Sequence, residues 1–174
     1  RFGIPVYGSF GTLLVVGFDP LHDKGLRPIV LDRPFSIADV SILPVAVPHD
    51  AREPCQYLIH SATHTLGILT DLGMITPHVT QAYARCDALY LECNHDLDML
   101  RAGPYPPSLK RRVGGNWGHL NNAQSAALLE RIDCGPIQHL VMAHLSEQNN
   151  TEVLARAAIE PALGTTSGFS GSLH

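Results

Sequence analysis

The sequence has no long hydrophobic run, no paired cysteines and no excess of positive charge. No apolar stretch approaches the roughly 18 residues that a membrane-spanning helix needs, so we predict no transmembrane segment and no membrane partner. The four cysteines form no Cys-x-x-Cys pair, which argues against a zinc ribbon or a thioredoxin-like motif. The net charge of −4 argues against capture of nucleic acid by the whole surface, although a local basic patch is compatible with it.

The first residues also lack the features of a secretory signal. Residues 1–5 contain no initiator methionine, no basic lead and no long apolar region. Together with the isolated cysteines, this composition predicts a protein of the reducing cytoplasm. The 174 residues, of which 45% are hydrophobic and 16% charged, are enough for one domain with a sizeable core.

What the sequence does contain is a set of histidines and carboxylates that each follow a buried-strand pattern. His49 follows the apolar run 45–48, Asp71 follows the run 66–70, and His144 follows the run 139–143. Imidazole and carboxylate groups are ligand types that suit zinc and manganese. Strand ends on one rigid scaffold therefore predict a metal site, although each of these residues taken alone is more often a hydrogen-bonded structural residue.

The spacing of apolar residues predicts an α/β fold with a mixed sheet. Strands alternate with helices after an antiparallel pair, which is the arrangement of this class. Strands are predicted over 3–7, 37–47, 55–60, 64–70, 88–91 and 138–143, with the third and fourth forming a hairpin. Helices are predicted over 76–85, 96–101, 121–132 and 151–159. We expect residues 19–36 to be a connecting region and the Gly/Ser/Thr-rich residues 161–174 to form a disordered tail.

Several short segments resemble, in order and spacing, the successive motifs of the metallo-β-lactamase-fold hydrolases. They are residues 48–51, 57, 70–73, 91–96, 118–122 and 143–150. The words Leu-Glu-Cys-Asn-His-Asp at 91–96 and His-Leu-Ser-Glu-Gln-Asn-Asn at 144–150 make the resemblance specific. The branch that the chain resembles is that of the YycJ-like (WalJ-like) phosphodiesterases, which are relatives of ribonuclease Z.

The resemblance implies that residues 1–160 are the C-terminal part of an αββα metallo-β-lactamase sandwich. The family's His-x-His-x-Asp-His signature occurs nowhere in the sequence. In relatives, a segment resembling residues 1–7 follows that signature by about one helix. We therefore expect an N-terminally truncated domain that lacks the first strands and the ligands of the signature, so that its metal site is incomplete.

The resemblance also implies roles for five residues in a site with two divalent metal ions, zinc or manganese. His49 resembles a ligand of the first metal, Asp71 the carboxylate that bridges both metals, and His144 a ligand of the second. Glu92 and His119 resemble the acidic residue and the histidine that ribonuclease Z-type enzymes use beside the scissile phosphate. Alternatively, Glu92 caps a helix or forms a salt bridge, and His119 is a loop histidine that caps the following helix.

A basic triplet precedes a glycine-rich loop that contains an aromatic residue. Lys110, Arg111 and Arg112 are predicted to hold a phosphate backbone, and Trp117 to stack on a base. The alternative is a solvated face with a packed tryptophan. Residues expected to support the ligands from behind are Asp50, His95, Asp96 and Ser146.

The function implied by the resemblance is metal-dependent phosphodiester hydrolysis by the full-length parent. The specific form is a 5′-to-3′ exonuclease. Its substrate is expected to be nucleic acid, and DNA in preference to RNA. The resemblance leaves open whether the protein forms a homodimer. One alternative is another hydrolase on this fold that acts on a cyclic nucleotide, thioester or lactone. The other is that this chain is a catalytically inactive fragment. The basic triplet and the Glu92–His119 pair favour phosphate over the first alternative.

Overall fold

Two β-sheets carry the fold, a two-stranded one near the start of the chain and a seven-stranded one after it. The computed structural model describes residues 4–17, 19, 22, 25–166 and 168–174. The small sheet pairs β1 (Val6–Ser9) in parallel with β2 (Leu26–Ile29), and α1 (Phe10–Val15) connects toward β2. The large sheet consists, in spatial as in chain order, of β3 (Phe35–Ile37), β4 (Val40–Ala46), β5 (Cys55–His60), β6 (Thr65–Leu69), β7 (Ala88–Glu92), β8 (His139–Ala143) and β9 (Ser172–Leu173).

The large sheet is mixed, as the sequence predicts. Strands β3 to β6 pair antiparallel, and the predicted hairpin is formed by β5 and β6. Strands β6 to β9 pair in parallel, so each connection must cross back over the sheet, and helices fill these crossovers. The helices are α2 (Pro77–Ala82), α3 (Leu97–Ala102), α4 (Pro107–Val113), α5 (Asn122–Leu129) and α6 (Glu152–Thr166).

The strand directions bring the strand-end residues to one edge of the sheet. Strands β6, β7 and β8 are parallel, so the residues that follow them lie at the same edge. Strand β4 is antiparallel to β5, which is antiparallel to β6, and therefore β4 also ends at that edge. The register fixes how these ends align, because Glu92 of β7 lies opposite Ala143 of β8.

The hydrophobic core joins the central strands to helices α2, α5 and α6. Leu89 and Leu91 of β7 and Leu140 of β8 are buried against Leu128 of α5 and Ile159 of α6. Leucines of this kind contribute about 1.5–3 kcal/mol each when removed from water, so this layer holds the parallel strands in place. Among the described residues, no helix is long and apolar enough to cross a membrane.

The C-terminal tail is ordered over residues 168–174, in contrast to the predicted disorder. Helix α6 continues to Thr166, beyond the predicted end at 159. His174 closes two backbone hydrogen bonds with β8, accepting from Met142 N and donating to the Leu140 carbonyl, each at 2.8 Å. Phe169 and Leu173 pack against the core. Backbone pairing and two apolar anchors thus order a segment whose composition predicts flexibility.

Several further elements differ from the predictions. The connecting region predicted over 19–36 contains β2 and the start of β3, and residues 10–15 form a helix where no element is predicted. Helix α4 is absent from the predicted elements because none of its residues is buried, so it carries no apolar period. The first strand covers Val6–Ser9, whereas Gly3 of the predicted strand 3–7 lies outside the described residues.

A buried histidine lies behind the sheet edge that carries the strand-end residues. His95 is fully buried, and its Nδ1 lies 3.3 Å from the Asn94 amide oxygen. Asn94 in turn donates from Nδ2 to the His144 carbonyl at 3.1 Å, so His95 supports His144 through one intermediate residue. Burial lowers the pKa of His95 to about 4, which keeps the ring neutral near pH 7.

The neutral state of His95 makes the stability of the fold depend on pH. Because its pKa is about 4 in the folded protein against an ordinary 6.5, the unfolded chain binds more protons between these values. This contribution to the free energy of unfolding is complete above pH 6.5 and should fall by on the order of 3 kcal/mol as the pH drops toward 4. For His95→Gln, urea unfolding should show a smaller loss of the free energy of unfolding between pH 6.5 and 4 than for wild type.

The exposed His64 offers a control for this measurement. His64→Gln should follow the wild-type pH profile. Equally steep losses in wild type and His95→Gln would contradict the assignment.

Candidate metal centre

Two of the candidate ligands adopt an uncommon backbone conformation. Asp71 and His144 lie just beyond β6 and β8, with φ angles of 51° and 57°. The left-handed region is sparsely populated by residues other than glycine and costs of order 1 kcal/mol or more. Such conformations cluster at functional sites, where the surrounding structure holds them. Among the described residues, Asp32, Ala38 and Glu53 also have a positive φ, but only Asp71 and His144 of this set lie at the strand ends that meet each other.

Asp71 lies among three histidines. Its Oδ1 is 4.0 Å from His49 Nε2, 3.8 Å from His119 Nδ1 and 3.6 Å from His144 Nε2. The His119 ring lies between the other two, with centroids 5.1 Å from each. Ligand atoms bound to one tetrahedral zinc ion lie roughly 3.3 Å apart, so these separations are close to those of a coordination sphere.

Glu92 is the buried carboxylate that orients two of these histidines. Its Oε1 accepts from His119 Nδ1 at 2.9 Å and from His144 Nδ1 at 2.7 Å. Its Oε2 accepts from the backbone N–H groups of Leu72 and Leu120 at 3.2 and 3.1 Å. A carboxylate has about four acceptor positions, so Glu92 has none left for a metal ion.

The charge state of Glu92 follows from these hydrogen bonds. Burial by itself raises the pKa of Glu92, but hydrogen bonds from His119 and His144 outweigh burial and leave the pKa below its ordinary value. The same contact raises the pKa of His144, because the Glu92 carboxylate stabilises the protonated ring. An ionised Glu92 accepts only, so Nδ1 is the donor nitrogen in both rings and each Nε2 stays available.

His49 is oriented in the same way by a backbone group. Its Nδ1 donates to the Gly118 carbonyl at 2.9 Å, which leaves Nε2 facing Asp71. Metal-binding histidines typically donate their second N–H to a carboxylate or a carbonyl, which fixes the tautomer and the ring. Asp71, Glu92, His119 and His144 each have a potential ligand atom within 4.8 Å of the others, but the Glu92 oxygens are occupied by their four hydrogen bonds. The atoms left for a divalent metal ion include the Asp71 carboxylate and Nε2 of His49 and of His144, and these donor types fit such an ion.

Two of the residues expected to support the ligands, Asp50 and Ser146, lie near different histidines of the site. Asp50 lies beside His49, with Oδ1 at 3.6 Å from Nε2, and its Oδ2 accepts from Arg112 Nε. The Arg112 hydrogen bond lowers the pKa of Asp50. Ser146 Oγ accepts from Asn149 N at 3.2 Å in the turn after His144.

Asp96 is the expected supporting residue whose position differs. Its Oδ1 accepts from the backbone N–H groups of Asp98 and Met99 at 3.0 and 2.9 Å and so caps α3. A side-chain oxygen at this position satisfies donors that a helix leaves unpaired at its start. This capping role, rather than contact with the ligands, accounts for Asp96.

The four predicted substrate-binding residues, at 110–112 and 117, have different surroundings in the structure. Lys110 Nζ donates to the Arg101 carbonyl, and Arg112 is paired with Asp50 in the cleft beside His49. Arg111 is exposed and has no ion pair among the described residues. Trp117 is 63% exposed, so it is not the packed tryptophan of the alternative interpretation.

Two clefts meet at His119 with α4 between them. The cleft on the His144 side has a volume of about 330 Å³ and is lined by Tyr105, Ser146 and Gln148 among others. The cleft on the His49 side has a volume of about 260 Å³ and includes Arg112. His119 and Val113 line both clefts. A group held at His119 would therefore extend into one cleft on each side of α4.

Sequence reasoning missed two features of this site. The first is the hydrogen bond from His144 to Glu92, which connects the predicted ligand His144 to the predicted Glu92–His119 pair. On the sequence alone, Glu92 is paired with His119 only. Tyr105 lines a cleft beside His119, but it lies among prolines after the predicted helix 96–101, in a stretch for which no role is predicted. An aromatic residue held between prolines was the available signal.

Comparison with known families identifies the class of this domain. Residues 8–145 match the model of the β-lactamase superfamily domain, and the chain belongs to that family. Two solved structures share the fold. Zn²⁺-bound PqqB from Methylobacterium extorquens has a TM-score of 0.67 and 22% identity, covering 99% of this chain and 65% of that one. The metallo-β-lactamase fold protein YhfI from Bacillus subtilis has a TM-score of 0.65 and 16% identity, covering 98% and 61%.

More specific similarity is to two bacterial proteins of the predicted branch. The chain is 30% identical over 167 residues to Exodeoxyribonuclease YycJ of Bacillus anthracis, covering 94% of this chain and 62% of that protein. It is 31% identical over 120 residues to Exodeoxyribonuclease WalJ of Streptococcus pneumoniae serotype 2 (strain D39 / NCTC 7466), covering 69% and 45%. The chain thus spans 62% and 45% of the length of these two relatives, and the predicted resemblance is confirmed.

The four hydrogen bonds of Glu92 predict a large stability effect of a small change. Glu92→Gln keeps the shape but replaces one acceptor oxygen by an NH₂ donor, so two buried donors lose their partner. Each unsatisfied donor costs about 1–3 kcal/mol, so the free energy of unfolding should fall by about 2–6 kcal/mol. Urea unfolding in the presence of a chelator measures this without a contribution from bound metal.

Asp71→Asn is the matched control for this prediction. The Asp71 side chain is 41% exposed, and asparagine tolerates a left-handed backbone, so its stability should change by less than about 1 kcal/mol. Equal losses in the two variants would show that Glu92 has no special structural role.

Proposed function

We propose that the full-length protein hydrolyses phosphodiester bonds of DNA in a metal-dependent reaction, as a 5′-to-3′ exonuclease. The observation that carries this proposal is the arrangement of His49, His119 and His144 around Asp71, with two of the rings held by the buried Glu92. The names of the two bacterial relatives, both exodeoxyribonucleases, support DNA as the substrate. The Arg112 guanidinium in one cleft favours a phosphate group over a thioester or a lactone.

His49, Asp71 and His144 would hold the metal, with zinc or manganese as the ion. The Asp71 carboxylate, whose Oδ1 lies 4.0 Å from His49 Nε2 and 3.6 Å from His144 Nε2, would be shared by two ions, with His49 a ligand of one and His144 a ligand of the other. Divalent ions supply a nucleophilic hydroxide at neutral pH and neutralise charge that develops on the phosphate. Glu92 is a positioning residue, because all its acceptor positions are used to orient other groups.

His119 is the group that would move a proton. Its Nδ1–H stays on Glu92, so in the protonated ring the proton on Nε2 is the one available to a leaving oxygen. Its place where the two clefts meet puts the ring beside a phosphate that bridges them. Proton transfer by a positioned side chain typically contributes 10²- to 10⁴-fold to a rate.

A duplex DNA labelled at either the 5′ or the 3′ end tests the proposal. With Mn²⁺ or Zn²⁺ present, we expect nucleotides to be released progressively from the 5′ end, and a chelator to stop the reaction. His49→Ala, Asp71→Ala and His144→Ala should each abolish turnover, and His64→Ala should not. Hydrolysis of a thioester without any cleavage of DNA would sink the assignment of substrate.

His119→Ala separates proton transfer from metal binding. We expect turnover to fall by about 10²- to 10⁴-fold while the metal content of the purified protein stays at the wild-type level. Elemental analysis by mass spectrometry gives the metal content. Loss of metal in this variant would place His119 among the ligands and contradict its assigned role.

A further inference from the structure

The cleft on the His144 side contains an aromatic residue that the proposed reaction does not use. Tyr105 lines this cleft together with His119, His144 and Ser146. It is half-buried, and among the described residues it has neither an aromatic partner nor a hydrogen bond to its hydroxyl. A half-buried phenol ring that lines the cleft beside His119 and His144 presents part of its surface to a ligand in that cleft.

The backbone around Tyr105 is restricted on both sides. Pro104 precedes it, and Pro106 and Pro107 follow it at the start of α4. Each proline fixes its own φ near −65° and restricts the residue before it. The ring is therefore presented at low cost in conformational entropy, which favours binding of a partner.

Trp117, the residue that the sequence favoured for stacking, lies elsewhere. It is 63% exposed and lines neither of the two clefts at His119. Its backbone carbonyl accepts from Asp50 N at 2.9 Å, which places this residue near the His49 side of the site. Of these two aromatic residues, only Tyr105 lines a cleft with His119.

The size and lining of the cleft fit one nucleoside. Its volume of about 330 Å³ is at the lower end of the range for small-molecule sites, roughly 300–1,000 Å³. Ser146 Oγ accepts two N–H groups from Asn149, so its own proton remains to be donated. Gln148 adds an exposed amide. An aromatic face with a few polar groups is the combination that holds a nucleobase and its sugar.

We propose that Tyr105 stacks on the nucleobase next to the scissile phosphate, so that this cleft selects a nucleoside over other phosphate esters. The proposal rests on the proposed function, because it takes the phosphate to lie at His119. Stacking of a base on an aromatic side chain is sequence-tolerant, since every base has a π face. The cleft would thus distinguish a nucleotide from a simple ester without reading the sequence.

Calorimetric titration with two ligands tests the stacking directly. Wild type should bind thymidine 5′-monophosphate more tightly than 2-deoxyribose 5-phosphate, which lacks the base, by roughly 5- to 100-fold. Tyr105→Ala should remove this preference, whereas Tyr105→Phe and Trp117→Ala should keep it. A preference that survives in Tyr105→Ala, or is lost in Tyr105→Phe, would overturn the proposal. Equal weakening of both ligands in Tyr105→Ala would also overturn it, by showing a structural role.

A pair of chromogenic esters separates this proposal from the proposed function. Thymidine 5′-(p-nitrophenyl) phosphate and methyl p-nitrophenyl phosphate share a leaving group and differ by the nucleoside. Tyr105→Ala should raise KM for the thymidine ester alone. Hydrolysis of both esters with equal KM in wild type would overturn the stacking proposal but support phosphodiester hydrolysis. Failure to hydrolyse either ester, with a Tyr105-dependent preference in the binding assay, would overturn the function but support the nucleoside cleft.

Discussion

Glu92 is an ionised carboxylate without contact to solvent, and it is stable there only because four hydrogen bonds satisfy it. Two of these come from the backbone of loops after β6 and before α5, and two come from His119 and His144. The same side chain therefore closes the loops around the end of β7 and sets the direction of the imidazole rings. The hydrogen bonds of Glu92 thus belong both to the fold and to the site. The orientation of the His119 and His144 rings is therefore fixed by a buried side chain of the sheet.

The sequence predicted the central part of this arrangement for a physical reason. Buried parallel strands need apolar runs, and such runs are visible at β7 and β8. Once these strands are parallel, the residues after them must converge, which is why Asp71 and His144 could be expected together. Convergence does not determine which nitrogen of a ring points outward. That depends on Glu92 Oε1 accepting from both rings, a contact between residues far apart in the chain.

The features that the sequence did not predict have few buried side chains or depend on backbone pairing. Helix α4 buries no residue, so no apolar period marks it, yet its Val113 lines both clefts. The C-terminal segment is ordered by hydrogen bonds from β8 to the backbone of His174, to which a Gly/Ser-rich composition gives no clue. The left-handed conformations at Asp71 and His144 were likewise not predicted, although aspartate and histidine adopt this region more often than most non-glycine residues.

The order of the strands bears on how the site comes into being as the chain folds. His49 follows β4 and His144 follows β8, and three strands lie between β4 and β8 in the large sheet. The two histidines approach Asp71 only when β4 to β8 have all paired. Pairings between residues distant in the chain form slowly, because the loops between them must close first. His49, Asp71 and His144 therefore come together only when these pairings are complete. A chain that lacks any of these pairings leaves the three side chains apart, so a site that joins them is a property of the whole sheet.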